Sequence, residues 1–152
     1  LDTRNDYEVK RGTFRGAIPA GIRHFRDSPA AAHRLPARLK DPPLVQFCPG
    51  GIRCEKAGPY LERVGFKDVH QLDGGILRYF EECGGAHFDG ECFVFDERVG
   101  LNAALETSGA SFCTRCQTPL TAIERQHPSY VRNTSCPHCI DRNLVANVAS
   151  TD

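Results

Sequence analysis

The sequence predicts an α/β domain with a parallel sheet flanked by helices, followed by a small irregular C-terminal module that binds zinc. Two short apolar runs, Leu44–Phe47 and Val69–Leu72, alternate with segments of helical periodicity, and this alternation favours a parallel sheet. Two C-x-x-C pairs follow in a tail with little apolar periodicity. We therefore expect a first domain over residues 1–100 and a cysteine-rich zinc-binding region over residues 101–152.

Length and charge bound the class of protein. A chain of 152 residues is long enough for one ordinary domain with a small appendage. Its formal charge is zero, but residues 1–40 carry nine Lys/Arg against four Asp/Glu, and residues 81–106 carry one against seven. The basic residues of the first segment predict either an anion-facing side or a merely solvated face. They are Lys10, Arg11, Arg15, Arg23, Arg26, Arg34, Arg38 and Lys40.

The chain has no run near the roughly 18–20 apolar residues that span a bilayer, and its start shows no secretion signal. We expect a cytoplasmic protein with no membrane partner. Four of the eight cysteines fall in C-x-x-C pairs and one ends a strand. These positions suit metal binding and catalysis under reducing conditions better than a disulfide framework.

The first 43 residues predict few regular elements. Residues 1–5 are typical of a strand end that runs into a turn, with no earlier element to support it, so we expect an N-terminal piece to be missing. Tyr7–Val9 and Gly12–Pro19 predict short turns and an extended segment rather than a helix. Ala30–Leu39 predicts a short helix that Pro36 breaks or kinks.

The next segment carries the alternation of strands and helices. Leu44–Phe47 predicts a central parallel strand, and Cys54–Val64 predicts a helix in which Pro59 either produces a kink or confines the regular part to later residues. Three further elements follow along the chain: a strand at Val69–Leu72, a helix at Ile76–Glu82 and a strand-like run at Cys92–Val99.

The segment between the first strand and helix predicts a nucleophile. Cys48 directly follows the strand, and Gly50 and Gly51 allow the backbone to curl so that several N–H groups point at the sulfur or at a bound anion. These N–H groups, the helix N-terminus and a cation such as Arg53 would lower the pKa of the thiol from its usual value of about 8.5. A buried, inert cysteine is the alternative. Cys54 is either a resolving thiol or a packed one.

The cysteine pairs predict a structural zinc site. Cys113 and Cys116 are separated by nineteen residues from Cys136 and Cys139, and each pair presents two sulfurs on one tight turn, so that four complete a tetrahedron. A pair of disulfides is the alternative, and His138 could replace one thiolate. Because zinc has no redox chemistry, its role there would be structural.

Several short sequence segments resemble those of a known protein family. Residues 48–53, Cys-Pro-Gly-Gly-Ile-Arg, look like the active-site loop of rhodanese domains, and residues 2–8 with 16–18 resemble their early Asp-x-Arg, Glu and Gly-Ala signatures. The longer strings at residues 48–57, 74–77 and 91–99, followed by the cysteine pairs, resemble the rhodanese-containing tRNA wobble-uridine hydroxylases. Pro49 stands where a threonine is usual in that family.

The resemblance implies a rhodanese-like fold and oxygen-dependent formation of 5-hydroxyuridine in tRNA. Cys48 would be the nucleophile, and the active-site loop and anion site would comprise Pro49, Gly50, Gly51, Ile52 and Arg53. Asp2 and Arg4 would brace this loop, with a surface ion pair as the alternative. The resemblance also implies the tRNA anticodon stem-loop as partner, an additional N-terminal domain of the same protein, and molecular oxygen as co-substrate. No flavin or nicotinamide is expected.

Two other functions are compatible with the same loop. A sulfurtransferase would carry sulfane sulfur on Cys48 as a persulfide, since it also needs a thiolate and anion-binding N–H groups. A non-catalytic module that binds RNA or protein is the third class.

Overall fold

The computed structural model describes residues 1–94, 99–107, 111–113, 115–116, 118–132 and 134–140. Two compact units emerge: the first comprises Leu1–Val94 and Leu101–Glu106, and the second contains the described residues of 99–100 and 107–140. The domain boundary near residue 100 stays a prediction.

Short helices and strands alternate along the chain. The helices are α1 (Asp6–Val9), α2 (Ser28–Arg34), α3 (Ile52–Arg63), α4 (Gly75–Cys83) and α5 (Ala122–Arg125). The strands are β1 (Gly12–Phe14), β2 (Leu44–Gln46), β3 (Val69–Gln71), β4 (Phe88–Gly90), β5 (Cys92–Phe93), β6 (Gly100–Leu101), β7 (Ser111–Phe112) and β8 (Pro119–Leu120). Single turns of 3₁₀ helix cover Phe25–Asp27 and Ala37–Leu39.

Parallel pairing around β2 confirms the predicted sheet. On one side β2 pairs with β3, and Gln46 lies opposite Gln71. On the other side the first residues of the chain add to β2, since Asp2 forms a parallel bridge with Phe47 and another with Pro19. The backbone therefore continues the sheet outward from the predicted central strand. β1 and β4 form a separate antiparallel ladder.

Two apolar clusters lie on opposite faces of β2, as the alternation of side chains along a strand requires. Leu44 packs with Leu61 of α3 and with Phe66. Phe47 packs on the other face, with Ile76 and Phe80 of α4. The strand after which Cys48 comes is thus covered by a helix on both sides.

Helix α3 begins at Ile52, two residues before the prediction, and continues through Pro59 to Arg63. The predicted confinement of the regular helix to the residues after Pro59 was therefore wrong. Gly58 allows this helix to approach the sheet closely, because a Cβ there would lie 2.6 Å from the side-chain nitrogen of Gln46.

Residues 6–9 form the one-turn helix α1, so the prediction of turns without a helix was wrong there. The physical reason is that the Glu8 carboxylate reaches back and accepts the N–H of Asn5 at 3.0 Å, which closes the turn. Helix α2 ends at Arg34, before Leu35 adopts an extended conformation and Pro36 follows, as predicted for a helix broken by that proline.

The second unit is small and centred on its cysteines. β7 and β8 pair antiparallel, with Ser111 opposite Leu120. Helix α5 begins after Thr121, whose hydroxyl accepts the N–H of Glu124 at 3.2 Å. Leu120 packs against three of the cysteines, Cys113, Cys136 and Cys139.

The strand predicted over Cys92–Val99 is realised as β5 at its start, whereas residues 95–98 lie outside the described residues. The same holds for residues 141–152 of the predicted zinc-binding region. Within the described part of the chain, no helix is long and apolar enough to cross a membrane.

Candidate functional site

Cys48 follows the carboxyl end of β2 and is 2% exposed. Its carbonyl accepts the N–H of Ile76 at 3.0 Å, and the Pro49 carbonyl accepts the N–H of Leu77 at 3.0 Å. Gly75, at φ +69°, permits this contact, because a Cβ there would lie 2.4 Å from the Cys48 carbonyl oxygen. The first turn of α4 therefore fixes the backbone on which the thiol is mounted.

Backbone N–H groups surround the Cys48 sulfur. The N–H of Gly51 donates to it at 3.1 Å, and the N–H groups of Arg53 and Cys54 also donate to it. Gly51 adopts φ +88°, a left-handed conformation that favours glycine. Pro49 has no N–H, but the donors all come from later residues of the loop and from the first turn of α3.

These contacts lower the pKa of Cys48 to about 6. The largest cause is a hydrogen bond from the Cys54 side chain, followed by opposing desolvation and then by the three backbone N–H groups. Hydrogen bonding to the Cys48 sulfur and burial raise the pKa of Cys54. Cys54 therefore keeps its proton and donates it to a Cys48 thiolate, while its own sulfur lies 3.6 Å from the hydroxyl of Thr3.

Arg53 has a partner that the sequence did not reveal. Its guanidinium donates to both carboxylate oxygens of Glu8, at 2.7 and 3.0 Å, and the side chain of Glu8 is fully buried. The pair links α3 to α1. The guanidinium therefore has a structural role in the fold and also lies close to the thiol. Glu8 stood in the early signature, but no spacing within the sequence pointed to Arg53.

Asp2 and Arg4 form a buried ion pair, so the surface alternative was wrong. Arg4 donates to the two carboxylate oxygens of Asp2 at 2.9 and 2.6 Å, and both side chains are 0% exposed. The Asp2 carboxylate also accepts the hydroxyl of Thr13 at 2.8 Å. Since Asp2 bridges to Phe47, the pair lies next to the residue that precedes Cys48.

Two glutamines of the sheet also contact the loop region, and sequence reasoning missed both. Gln46 donates to the Cys54 carbonyl at 3.1 Å. Gln71 lies against Gly51, where a Cβ would be 2.9 Å from its side-chain nitrogen. Their positions at the ends of adjacent parallel strands were the only available signal.

The four cysteines of the second unit come together as predicted. Their sulfur atoms all lie within 4.8 Å of one another. The separations are 3.9 Å for Cys113 and Cys139, and 3.6 Å both for Cys116 and Cys136 and for Cys136 and Cys139. Four sulfurs that are each about 2.3 Å from one zinc ion lie about 3.8 Å apart. This cluster can therefore bind a metal ion, and the separations fit zinc.

None of the eight cysteines, all of which lie in the described residues, forms a disulfide. His138 lies beside the cluster, where its Nε2 atom is 2.7 Å from a carboxylate oxygen of Glu124. Its contact is thus with α5, and the described ligand set consists of four thiols. Of the two remaining cysteines, Cys92 is buried and Cys83 is exposed.

Six of the eight basic residues named for the first segment fall into two groups. Arg11 and Arg15 form ion pairs with Glu91 and Asp89 of the acidic segment, at 3.4 and 3.2 Å. Four exposed arginines have no ion pair among the residues that the structure describes: Arg23, Arg26, Arg34 and Arg38. Part of the predicted anion-facing side is thus neutralised by the chain itself.

A buried thiolate at the end of a central parallel strand, in a loop of inward-pointing N–H groups, defines a rhodanese-type site. The rhodanese-like domain family matches residues 1–82, and the chain belongs to this family.

Curated relatives extend the similarity beyond residue 82. The chain is 50% identical to the tRNA uridine(34) hydroxylase of Cupriavidus metallidurans over 141 residues, which are 93% of this chain and 50% of that protein. It is 48% identical to the proteins of the same name from Ralstonia nicotianae and Mesorhizobium japonicum, over 96% and 93% of this chain and 52% and 46% of theirs. The chain spans about half the length of these relatives.

Proposed function

We propose that this chain is the thiol-bearing part of an enzyme that hydroxylates the wobble uridine of tRNA to 5-hydroxyuridine. The observation that carries the proposal is the Cys48 thiolate, held by three backbone N–H groups. It lies in a chain whose sequence is about 50% identical to that of a tRNA uridine(34) hydroxylase. The full activity is that of a longer protein, to which we expect a further N-terminal domain to contribute.

Cys48 would act as the nucleophile. Attack of the thiolate on C6 of uracil forms an S–C6 bond, and the C5–C6 electron pair moves into an enolate with its charge on O4. Carbon C5 then becomes electron-rich and takes one oxygen atom from dioxygen. The second oxygen atom leaves as water with two electrons from an external reductant, and elimination restores the base and releases Cys48.

The surroundings of Cys48 support this role. Cys54 can stabilise the thiolate through its S–H, and the N–H groups of residues 51, 53 and 54 point at the sulfur before substrate arrives. Asp2 and Arg4 would brace the loop through the neighbouring strand. The exposed arginines of residues 23–38 supply positive charge for the phosphates of an anticodon stem-loop. A tRNA substrate would place the enzyme in the cytoplasm.

We infer that the four-cysteine cluster holds a structural zinc ion. Its thiol-only ligand set and sulfur separations near those of a zinc tetrahedron support this metal. Cys113, Cys116, Cys136 and Cys139 would bind it, and the ion would hold β7, β8 and the turn at Cys136–Cys139 together without taking part in the reaction.

The test uses the full-length parent protein and unmodified tRNA with an added two-electron reductant, in the presence and in the absence of oxygen. Mass analysis of the nucleosides should show 5-hydroxyuridine only with oxygen, and Cys48→Ser should abolish it. The matched control is Cys83→Ser, which removes an exposed thiol and should leave the yield unchanged.

A parallel incubation with thiosulfate and cyanide tests the sulfurtransferase alternative, which uses the same thiolate. Formation of thiocyanate without 5-hydroxyuridine would replace the proposal by that activity. Absence of both products would contradict the hydroxylase and the sulfurtransferase activities. The non-catalytic module that binds RNA or protein would then be the remaining function.

A further inference from the structure

Gln71 is the last residue of β3 and lies beside Gln46 of β2 in parallel register. Neighbouring residues of paired strands point to the same face of a sheet. The Gln46 amide donates to the Cys54 carbonyl of α3, which identifies that face as the one covered by α3. The side chain of Gln71 therefore extends on the face where the thiol loop meets this helix.

The Gln71 carboxamide lies directly against the loop. A Cβ on Gly51 would be 2.9 Å from Nε2 and 4.0 Å from Cδ of Gln71, and the N–H of the same glycine donates to the Cys48 sulfur at 3.1 Å. Gln71 is exposed, and among the described residues its amide has no hydrogen-bond partner. A carboxamide with both its donor and its acceptor available thus borders the nucleophile.

Two neighbouring side chains of the loop are less suited than Gln71 to form hydrogen bonds with a substrate. The guanidinium of Arg53 is already engaged by the Glu8 carboxylate in two hydrogen bonds. Ile52 is 70% exposed at the start of α3 and offers an apolar surface against which a flat ring can pack. An apolar contact and a carboxamide on the rim of a thiolate site suit a pyrimidine base.

We propose that Gln71 binds the edge of the target uracil, with Nε2–H donating to O4 and Oε1 accepting from N3–H. This inference rests on the proposed function and deepens it. When the Cys48 thiolate adds to C6, its electron pair forms the S–C6 bond and the C5–C6 pair moves onto O4, with no proton transferred and no oxidant consumed. The donor on O4 therefore contributes most as charge develops there.

The addition step can be measured without oxygen. Once the enolate forms, C5 takes a deuteron from heavy water, and elimination of the thiolate with loss of the original proton returns uracil carrying deuterium at C5. The experiment follows this exchange by mass spectrometry in an anticodon stem-loop RNA with one uridine, under anaerobic conditions. It uses the full-length parent protein, and the same preparations are assayed with oxygen for 5-hydroxyuridine.

The variants are Gln71→Ala and Gln71→Glu, with His70→Ala as the matched control. His70 is the preceding exposed residue of β3, whose side chain points to the opposite face and pairs with Asp68. Loss of one oxyanion donor lowers kcat by about 10²-fold or more, so we expect this loss in exchange for Gln71→Ala. Gln71→Glu should be slower still, because a carboxylate repels the charge on O4, and His70→Ala should match the wild type.

Alkylation of Cys48 by iodoacetamide separates contact with substrate from support of the loop. An unchanged alkylation rate in Gln71→Ala, together with slow exchange in both variants, supports the inference. Wild-type exchange rates in these variants, alongside normal 5-hydroxyuridine formation by the wild type, would overturn it while the proposed function stands. A matching fall in the alkylation rate of Gln71→Ala would also overturn it, since Gln71 would then only support the thiol. A wild type with neither exchange nor product would remove both proposals.

Discussion

The guanidinium of Arg53 is fastened to the buried carboxylate of Glu8 by hydrogen bonds of 2.7 and 3.0 Å, across 45 residues of chain. The same carboxylate accepts the N–H of Asn5. The loop arginine is therefore a structural link between α1 and the first turn of α3, which supplies two of the N–H groups on the Cys48 sulfur.

Neutralising this link should destabilise the first unit. In Glu8→Gln the buried site keeps its shape but loses the negative charge that balances Arg53. Breaking a buried ion pair by changing one partner costs about 3–5 kcal/mol, so we expect a loss near the lower value in the free energy of unfolding, measured by urea denaturation. Lys67→Ala is the control, because it removes an exposed pair with Asp41 and should change nothing measurable. Equal stability of the two variants would contradict the structural role.

The alkylation rate of Cys48 should depend on pH with a midpoint near 6, the value to which its pKa is lowered. Only the thiolate reacts, so the rate should rise as the pH increases through this value and remain constant above it. Cys54→Ala removes the S–H donor and should move the midpoint upward. Site-resolved mass spectrometry of iodoacetamide-treated protein gives both profiles. A wild-type midpoint above pH 8 would show that the loop does not stabilise the thiolate.

The second unit should contain one zinc ion per chain, measured by elemental analysis of purified protein. Cys136→Ser should lose most of the metal and lower the thermal stability of this unit, because its sulfur is buried among the other three. The control Cys83→Ser should retain the ion. Protein that contains no zinc and has four freely titrating thiols in this cluster would contradict the assignment.

Gly75→Ala should disturb the thiol loop through the backbone alone. The added Cβ would meet the carbonyl oxygens of Cys48 and Pro49 at 2.4 and 2.6 Å, and the positive φ of residue 75 is strained for alanine. We expect a loss of roughly 2–4 kcal/mol in the free energy of unfolding.

Gly50→Ala is the matched control for Gly75→Ala, since nothing lies within 4 Å of its Cβ position. Its urea midpoint should stay near that of the wild type. A wild-type midpoint in Gly75→Ala would mean that α4 can move away from the loop without loss of stability.

Local patterns were sufficient for much of the fold. The apolar run at Leu44–Phe47, the glycine loop after it and the two C-x-x-C pairs each lie within a few residues, and the structure places them as predicted. Predictions were weaker where a distant group decides the local conformation. The turn at residues 6–9 became helical because Glu8 bonds back to Asn5, and Pro59 was accommodated within a helix packed on the sheet.

The sequence by itself determined the chemistry available to this protein: a thiol placed after a strand, N–H groups free to turn toward it, and four further thiols at metal-binding spacing. The tertiary structure alone decided which groups surround that thiol. Gln71 meets Gly51 because parallel strands bring residues far apart in the chain to the same edge of a sheet. Glu8 of α1 meets Arg53 of α3, and Asp2 meets Thr13 of β1, only once these elements have packed together. Such contacts depend on strand order and register, which no local spacing encodes.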